Sequence, residues 1–412
     1  MNSKKLKILT IFGTRPEVIK LFPVIREIRE HRQLKNVIVS TSQHREMIDD
    51  LLQLFSIKPD VDLNIIQKNQ SLVDISTRAL TGLNPILNKH KPDIVLVQGD
   101  TTTAFIGALA AFYNRIPVGH VEAGLRSFDR SHPYPEEVNR KMISALCELN
   151  FAPTMQNAEH ILREGADSTS IYITGNTVID ALEHMKKQNG NTLARYLPKD
   201  ALDARRMILV TAHRRENWGR PLKNLCSALL EIADRFEDVH IVFPVHLNPN
   251  VREIVFGYLG LHDRIHLLSP LSYQPFIEAM NKAYMIVTDS GGIQEEGPSF
   301  HKPILVFRKV TERPEGLLTG AVKLLGLERD SAVREMSRLL NDSSFYRTMS
   351  TAVNPYGDGL AAKRIVQAIF HYYGYAERPK DFDWSMQSNK RSAKCKLQEV
   401  QLPNPQPLPQ LN

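Results

Sequence analysis

Short apolar runs that alternate with longer amphipathic stretches limit how this 412-residue chain can fold. Each run is bounded by turn residues, as is typical of buried strands, and the stretches between runs have helical spacing. Repeated strand–helix–strand units of this kind build parallel sheets that are covered by helices. The predicted strands are 6–12, 37–40, 94–97, 118–121, 207–211, 240–244, 285–288 and 304–307.

The alternation is interrupted near the middle of the chain. A short apolar strand ends at Ile173-Thr174-Gly175-Asn176, and a polar stretch over 186–199 precedes the second series of strands. We predict an α/β protein in which two Rossmann-like domains, 1–174 and 175–360, face one cleft, because a chain of this length exceeds one ordinary core. From residue 376 the chain is basic, polar and finally proline-rich, which predicts a flexible tail over 376–412, and a segment that lies along the surface is the alternative.

Composition and charge narrow the class of protein. The chain is 42% hydrophobic with a formal net charge of +7, and most basic side chains lie beside acidic ones. This pattern favours anionic ligands and excludes a nucleic-acid footprint. The widely spaced Cys147, Cys226 and Cys395 lack metal-site or disulfide spacing, so we predict no metal and a reducing cytoplasm. Apolar segments are too short for a membrane span or a signal peptide, so we predict no membrane association.

Three carboxylates fall in one short region of the first domain. Asp100 and Glu122 follow two predicted strands, and Glu136 lies in the Pro135-Glu136-Glu137 segment. Side chains at the carboxyl ends of parallel strands face the ligand crevice, so we expect Asp100 and Glu122 to share a site. Several carboxyl groups in one cleft suit proton transfer, because repulsion and desolvation raise the pKa of one and leave an acid beside a base.

The turn after the first strand is suited to an anion. Gly13 permits a tight turn, and Arg15 and Lys20 lie near the start of the following helix, where they can meet a phosphate or sugar oxygen. The turn carries neither of the common glycine-rich nucleotide signatures. An ordinary strand-to-helix turn with solvated bases remains the alternative.

A second such turn follows strand 285–288. Ser290, Gly291 and Gly292 expose backbone N–H groups at a helix start, which can hold a diphosphate. Glu296, about one helical turn later, is placed to accept bonds from ribose hydroxyls, and Arg313 can offset phosphate charge. Together they predict a nucleotide pocket, and a glycine-capped helix with surface charges is the alternative.

Other cleft candidates are more ambiguous. His213 ends strand 207–211 beside Arg214 and can donate to a phosphate, although a histidine at a strand end is often structural. His246 is equally suited to a structural or a regulatory role. Gln43 and His44 lie at the predicted cleft mouth or begin a solvated helix. Phe276 can stack on a flat base or pack in the core.

Eight motifs, in one order between about residues 6 and 373, resemble the non-hydrolysing UDP-N-acetylglucosamine 2-epimerases. They are GTRPE, QGDTTT, HVEAGLRS, PEEVNR, TGNTVIDAL, TAHRREN, DSGGIQEE and TERPEG. The resemblance implies two Rossmann-like domains of the glycosyltransferase-B type, with a C-terminal helix at about 361–375 that packs back on the first domain. It also implies a homodimer.

The resemblance implies reversible conversion of UDP-N-acetylglucosamine into UDP-N-acetylmannosamine, a precursor of cell-surface polysaccharides, by elimination and re-addition of UDP without a cofactor. The acid/base set is then Asp100, Glu122 and Glu136, with His213 near the diphosphate. The residues that would bind the nucleotide and sugar are Arg15, Lys20, Phe276, Ser290, Gly291, Gly292, Glu296 and Arg313.

Bacterial members of this family often bind a second UDP-N-acetylglucosamine as an activator. The positions that match this allosteric site are Gln43, His44, Gln70, Glu136, Arg214 and His246. The chain departs from some relatives at Leu271-Ser272-Tyr273, where they hold a glutamine that contacts the base, so backbone groups would recognise uracil here. It also departs in the tail after residue 376.

Three rival functions share the predicted pocket. A glycosyltransferase of the same fold would need an acceptor groove, and a hydrolysing 2-epimerase would release free UDP. A catalytically silent UDP-sugar sensor would not exchange substrate hydrogen. The intact carboxylate set favours epimerisation over the first and the last.

Overall fold

Two parallel sheets organise the chain. The computed structural model describes residues 5–42, 45–67, 70–188 and 190–385, apart from the side chains of 45–47. The strands of the first sheet are β1 (Leu6–Phe12), β2 (Leu34–Ser40), β3 (Val61–Asp62), β4 (Ile94–Gln98), β5 (Val118–Val121), β6 (Leu149–Ala152) and β7 (Ile171–Ile173). Those of the second are β8 (Arg206–Thr211), β9 (Val239–Pro244), β10 (Ile265–Leu268), β11 (Met285–Thr288), β12 (Ile304–Val306) and β13 (Val322–Leu324). All pairings are parallel, which confirms the predicted α/β class.

Helices connect successive strands in both halves. The helices up to residue 186 are α1 (Arg15–Glu30), α2 (Arg45–Leu54), α3 (Leu72–His90), α4 (Thr102–Tyr113), α5 (Glu136–Leu146), α6 (Met155–Arg163) and α7 (Thr177–Lys186). Those that follow are α8 (Lys199–Asp203), α9 (Arg220–Arg235), α10 (Pro249–Leu259), α11 (Tyr273–Lys282), α12 (Gly291–Glu296), α13 (Pro314–Leu318), α14 (Arg329–Asn341), α15 (Ser343–Ser350) and α16 (Ala361–Tyr372). None of the described helices is both long and apolar enough to cross a membrane.

The strand order places a crevice in each sheet. The first sheet runs β3-β2-β1-β4-β5-β6-β7, and the second runs β10-β9-β8-β11-β12-β13. The order reverses between β1 and β4 and again between β8 and β11. Ligands of open α/β sheets bind beyond the carboxyl ends of the strands at such reversals. The turns after these four strands are therefore candidate ligand-binding positions.

Both faces of each sheet are buried, as the long apolar runs predict. In β1, Ile8 and Phe12 belong to the largest apolar cluster, whereas Leu9 and Ile11 belong to a separate cluster on the other face. All eight predicted strands form. The strands that the apolar pattern missed include β6, β10 and β13, which are short and carry a polar residue in their interior.

The last helix returns to the first half of the chain. Helix α16 packs against α1 and α7, and the Asp180 carboxylate on α7 accepts hydrogen bonds from the backbone N–H groups of Ala361 (3.2 Å) and Ala362 (2.9 Å). Helix α7 also contacts α11 and α12 of the second half. Because α7 touches both halves, the domain boundary at 174/175 stays a prediction.

The predicted flexible tail, 376–412, does not begin at residue 376. Phe382 is 4% exposed, its N–H donates to the Ile173 carbonyl (2.7 Å), and the Asp381 carboxylate accepts from the Ile173 N–H (2.9 Å). The Arg378 guanidinium lies 4.2 Å from the centre of the Tyr172 ring. These contacts seat 378–382 along the edge of β7, because a few well-placed apolar and cationic side chains outweigh the polar composition around them. Residues 386–412 lie outside the described part of the chain.

We expect Asp180→Ala to lower the free energy of unfolding by about 1–2 kcal/mol, the usual cost of removing a side-chain cap. Asp180→Asn is the matched control because it keeps one acceptor oxygen for α16. Urea unfolding at pH 6 measures both, and equal stabilities of Asp180→Ala and the wild type would contradict the proposed cap.

The same position predicts a pH dependence. Burial, followed by the charge of Asp358, raises the pKa of Asp180 from 3.8 to about 7. The folded protein then retains a proton that the unfolded chain releases, so wild-type stability declines relative to Asp180→Asn between about pH 4 and 7 and is level above. If the difference in free energy of unfolding between the wild type and Asp180→Asn were constant over this pH range, the raised pKa would be contradicted.

Candidate active site

The centre of the cleft is a buried carboxylate at the end of β5. Lys20 Nζ lies 2.5 Å from Glu122 Oε1 and 2.6 Å from Oε2, and the Gln98 side-chain amide also donates to Oε2. The Asn176 amide donates to Oε1 at 3.1 Å. These partners come from α1, β4 and the segment before α7, so three separate elements converge on one carboxylate.

This environment keeps Glu122 ionised. Burial acts to raise its pKa, but the charge and hydrogen bond of Lys20, with smaller contributions from Arg313 and Asn176, hold the pKa below the usual value. The sequence led us to expect that repulsion and desolvation raise the pKa of one carboxyl in this region. Glu122 is not that carboxyl, because a cation and two amides satisfy its oxygens.

Asp100, one strand away, has its own cation. Arg140 Nε and Nη2 lie 2.9 Å and 2.6 Å from Asp100 Oδ2, and the Asn139 amide donates to the Asp100 carbonyl at 2.9 Å. Arg140 also binds the buried Glu137 at 3.1 Å, which fixes its guanidinium. Asp100 therefore follows β4 with a defined orientation and remains partly open to the cleft, its side chain 27% exposed.

Glu136 is the first residue of α5, the helix that carries Asn139 and Arg140. Glu136 lies one helical turn before Arg140, whose guanidinium binds Asp100. Its Oε2 is buried and has no hydrogen-bond partner among the described residues. A carboxylate oxygen without a donor is costly to bury, which is typical of groups retained for chemistry.

The turn after β11 leads into a helix, as the sequence predicts, but the Ser290 N–H is not free, because it donates to Thr288 Oγ1 at 2.9 Å. Ser290 occupies the N-cap position of α12 without a side-chain capping bond, and a side chain at Gly291 would come within 2.4 Å of Arg313 Nη1. A side-chain carbon at Gly292 would have 3.6 Å to Glu296 Oε1. Glycine at 291 is thus what lets Arg313 lie directly over the start of this helix.

A chain of charges joins the two halves across the cleft. The Asn176 amide that binds Glu122 also donates to Glu295 Oε2 at 3.0 Å, and Arg313 Nε binds Glu295 Oε1 at 2.6 Å. Arg313 Nη1 then binds Glu312 at 2.8 Å. A second buried bond crosses the cleft between Thr154 and Glu315, and it supports the same apposition of the halves.

Glu296 is an acid near neutral pH. Burial and the charge of Glu295 raise its pKa to about 7, and the charges of Lys20 and Arg15 act in the opposite direction. Arg15 also lowers the pKa of the buried Tyr273, although burial dominates and the net pKa lies well above the usual value. Arg15, Glu296 and Tyr273 are therefore electrostatic neighbours, on opposite sides of the cleft.

His213 is oriented by a buried carboxylate after β8. Its Nδ1 lies 3.1 Å from Asp289 Oδ1, and Asp289 also accepts from the His213 and Arg214 N–H groups and from Asn217. His213 stays 45% exposed, so Nε2 is available to a ligand. The His246 ring is stacked 6.4 Å away, which places this ambiguous histidine beside the cleft.

The remaining predicted residues are dispersed. Gln70 accepts from Arg78 (2.8 Å) and the Gln67 N–H (3.0 Å), and Arg214 binds Glu312 at 3.0 Å. Phe276 is partly buried against the main apolar cluster, which leaves both of its predicted roles open. Gln43 and His44 lie outside the described residues.

Several site residues were missed, and each lies within a motif already noted. The partners of the predicted residues are Gln98, Asn139, Arg140, Asn176, Asp289, Glu295 and Glu312, and Glu17 accepts from the N–H of Gly13 in the turn before Arg15. Asn176 stands in TGNTVIDAL, and Glu295 is the neighbour of Glu296 in DSGGIQEE. A search for polar residues at every strand end would have found Gln98 and Asn176.

The fold and the cleft define a two-domain α/β enzyme of the glycosyltransferase-B type. A family model described as UDP-N-acetylglucosamine 2-epimerase matches residues 26–370. The chain belongs to the UDP-N-acetylglucosamine 2-epimerase family.

Individual relatives match over nearly their whole length. The UDP-N-acetylglucosamine 2-epimerase of Escherichia coli K12 is 50% identical over 370 residues, 88% of this chain and 98% of the relative. That of Bacillus subtilis is 48% identical over 380 residues, 92% and 99% of the two chains. The crystal structure of the Neisseria meningitidis UDP-GlcNAc 2-epimerase bound to UDP-GlcNAc has a TM-score of 0.81 and 44% identity, and it covers 89% of this chain and all of that one (100%).

The bridging amide gives a prediction. Asn176→Asp keeps the oxygen that accepts from the Val178 N–H (3.0 Å) but places a third carboxylate between Glu122 and Glu295. We expect Asn176→Asp to lower the free energy of unfolding by about 3–5 kcal/mol at pH 8, the range for an uncompensated buried charge. Stability should partly recover at pH 5, because protonation of one carboxyl relieves the repulsion.

Urea unfolding at both pH values measures the effect. Asn176→Ser is the control, since it retains a capping oxygen without adding charge and should lose less stability at pH 8. A pH dependence shared by the two variants would exclude repulsion as the cause.

Proposed function

We propose that this enzyme interconverts UDP-N-acetylglucosamine and UDP-N-acetylmannosamine by eliminating and re-adding UDP. It would act in the cytoplasm without a cofactor and supply precursors of cell-surface polysaccharides. The observation that supports this most directly is the pair of carboxylates at adjacent strand ends, Asp100 and Glu122. Each is held by a cation: Asp100 by Arg140 and Glu122 by Lys20.

The chemistry requires such groups. The C2 hydrogen of the sugar is not next to a carbonyl and is weakly acidic, so its removal becomes easier when the C1–O bond breaks early and the ring gains positive charge. Carboxylates beside the ring stabilise that charge, and cations on the diphosphate support the leaving group. An ionised carboxylate such as Glu122 meets the first need.

The steps balance without a further reactant. A carboxylate takes the C2 proton while the C1–O electron pair leaves with UDP, and a C1=C2 double bond forms in the bound glycal. A second acid then delivers a proton to the opposite face of C2 as a diphosphate oxygen rebinds C1. We assign this exchange to Asp100, Glu122 and Glu136, and we assign His213 to the diphosphate, where Asp289 orients its ring.

For the nucleotide, we assign the turn of Ser290, Gly291 and Gly292 to the diphosphate and Glu296 to the ribose. Arg313 and the N–H groups of Gly291 and Gly292 would supply complementary charge, whereas the Ser290 N–H donates to Thr288 Oγ1 at 2.9 Å. Arg15 and Phe276 complete the nucleotide site, with Phe276 stacked on the base. Lys20 serves this site through Glu122, since its ammonium lies on both oxygens of that carboxylate.

We also propose a homodimer and an activator site for a second UDP-N-acetylglucosamine. The stacking of His246 on His213 supports the activator site, because it joins a candidate activator residue to the diphosphate side of the cleft. The homodimer rests on the family resemblance alone. The other proposed contacts are Gln43, His44, Gln70, Glu136 and Arg214.

Incubation with UDP-N-acetylglucosamine in deuterated water tests the reaction. We expect deuterium at C2 in both epimers, with UDP retained in the products. Stoichiometric free UDP would indicate a hydrolysing enzyme, and sugar transfer to an added acceptor without C2 exchange would indicate a glycosyltransferase. Either result would overturn the proposal, as would the absence of any exchange.

We predict that Asp100→Asn, Glu122→Gln and Glu136→Gln each lose most turnover, by about 100-fold or more as is usual for acid/base groups, while UDP still binds. Asp100→Asn and Glu136→Gln are nearly isosteric, so folding should persist. Glu122→Gln leaves the buried Lys20 without its counter-charge and should lose stability, so this variant is assayed at a temperature where it remains folded. UDP titration calorimetry and C2 exchange rates separate binding from chemistry. Wild-type exchange rates in all three variants would remove the proposed roles.

A further inference from the structure

A buried histidine joins the two strand ends that carry Asp100 and Glu122. His120 lies on β5 two residues before Glu122, is 0% exposed, and has its Nε2 2.7 Å from the Gly99 carbonyl. Gly99 is the residue that directly precedes Asp100. Its N–H donates in turn to the Val121 carbonyl at 2.9 Å.

The turn at the end of β4 is held at successive carbonyls. His120 binds the Gly99 carbonyl, and the buried Asn139 amide binds the Asp100 carbonyl at 2.9 Å. Gly99 has a left-handed φ of 71°, so the turn is not part of the regular strand. Both donors are side chains, so each of these two carbonyl groups is held by one side chain.

Glu122 shares this constraint. A side-chain carbon at Gly99 would lie 3.7 Å from Glu122 Oε2, so the turn passes along the carboxylate. Glu122 itself has a left-handed φ of 67°, which is rare for a residue with a side chain. The His120–Gly99 bond thus links the irregular position just before Asp100 to the strand that leads into the irregular position at Glu122.

We propose that His120 is a positioning residue that sets the distance between the Asp100 and Glu122 carboxylates by donating Nε2–H to the Gly99 carbonyl. This inference rests on the proposed function of these carboxylates. His120 acts through the turn and does not touch the substrate.

The histidine does not itself transfer protons. A carbonyl acceptor requires the proton on Nε2, and Nδ1 has no partner among the described residues. Burial lowers the pKa of His120 to about 4, so the ring stays neutral through the physiological range. A fixed neutral donor is what the turn requires, because a charged ring would be costly in this position.

Two substitutions isolate the donor. Glutamine places its amide nitrogen near the position of Nε2, whereas the shorter asparagine places its amide near Nδ1 and cannot reach Gly99. Both remove the ring and its packing. We expect His120→Asn to lower kcat by about 100-fold with little change in KM, since misplacing reacting groups by about 1 Å has such an effect. His120→Gln should retain most of the wild-type kcat.

The measurements are kcat and KM for epimerisation, C2 deuterium incorporation, UDP affinity and thermal unfolding. Equal kcat values for His120→Gln and His120→Asn, at whatever level, would overturn the positioning role. Asn139→Leu, which releases the next carbonyl, carries the same prediction of a lowered kcat with UDP affinity retained, and it tests the held turn if the His120 variants fold poorly. If the His120 variants fold poorly, a wild-type kcat in Asn139→Leu would overturn the proposal that this turn positions Asp100.

The wild type separates this inference from the proposed function. If the wild type incorporates no deuterium at C2, the proposed reaction fails before any variant is compared. If the wild type incorporates deuterium and His120→Asn has the same kcat as the wild type, the proposed reaction stands and the positioning role fails.

Discussion

The buried ion pair between Lys20 and Glu122 is the interaction on which the cleft depends. Removing two charges from water is costly unless each is fully satisfied, and breaking such a pair leaves an uncompensated charge. Glu122 is therefore also bound by Gln98 and Asn176, and Asn176 transmits the constraint to Glu295 and so to the second domain. Satisfying one carboxylate brings α1, β4, β5 and α12 to fixed relative positions.

A second buried carboxyl group, that of Glu17, stabilises the neighbouring turns. Glu17 accepts from the N–H groups of Gly13 (2.9 Å) and Thr14 (2.7 Å) and from the Thr101 hydroxyl (2.7 Å). It therefore ties the turn after β1 to the turn after β4, on the two sides of the reversal in strand order. Burial raises the pKa of Glu17 to about 7, although these hydrogen bonds act to lower it. The two turns are therefore joined by a carboxyl group that titrates near neutral pH.

Much of the fold and part of the site were predictable, because they depend on local patterns. The strands 6–12, 118–121 and 285–288 form with the predicted bounds, and Asp100, Glu122 and Ser290 follow strand ends as the apolar runs indicate. The pairing of charges was not predictable. Lys20 was expected to meet a phosphate or sugar oxygen, yet it lies on a carboxylate 102 residues away in the chain.

The sequence by itself determined the alternation of strands with helices, the division into two sheets and the strand ends at which polar side chains lie. Apolar spacing and turn residues act on a few neighbours at a time and are legible without coordinates. Only the tertiary structure decided which cation neutralises Glu122, that Glu296 and not Glu122 has the raised pKa, and that Phe382 is seated beside β7. These outcomes depend on distance through space and on burial, which arise only once segments far apart in the chain are packed together.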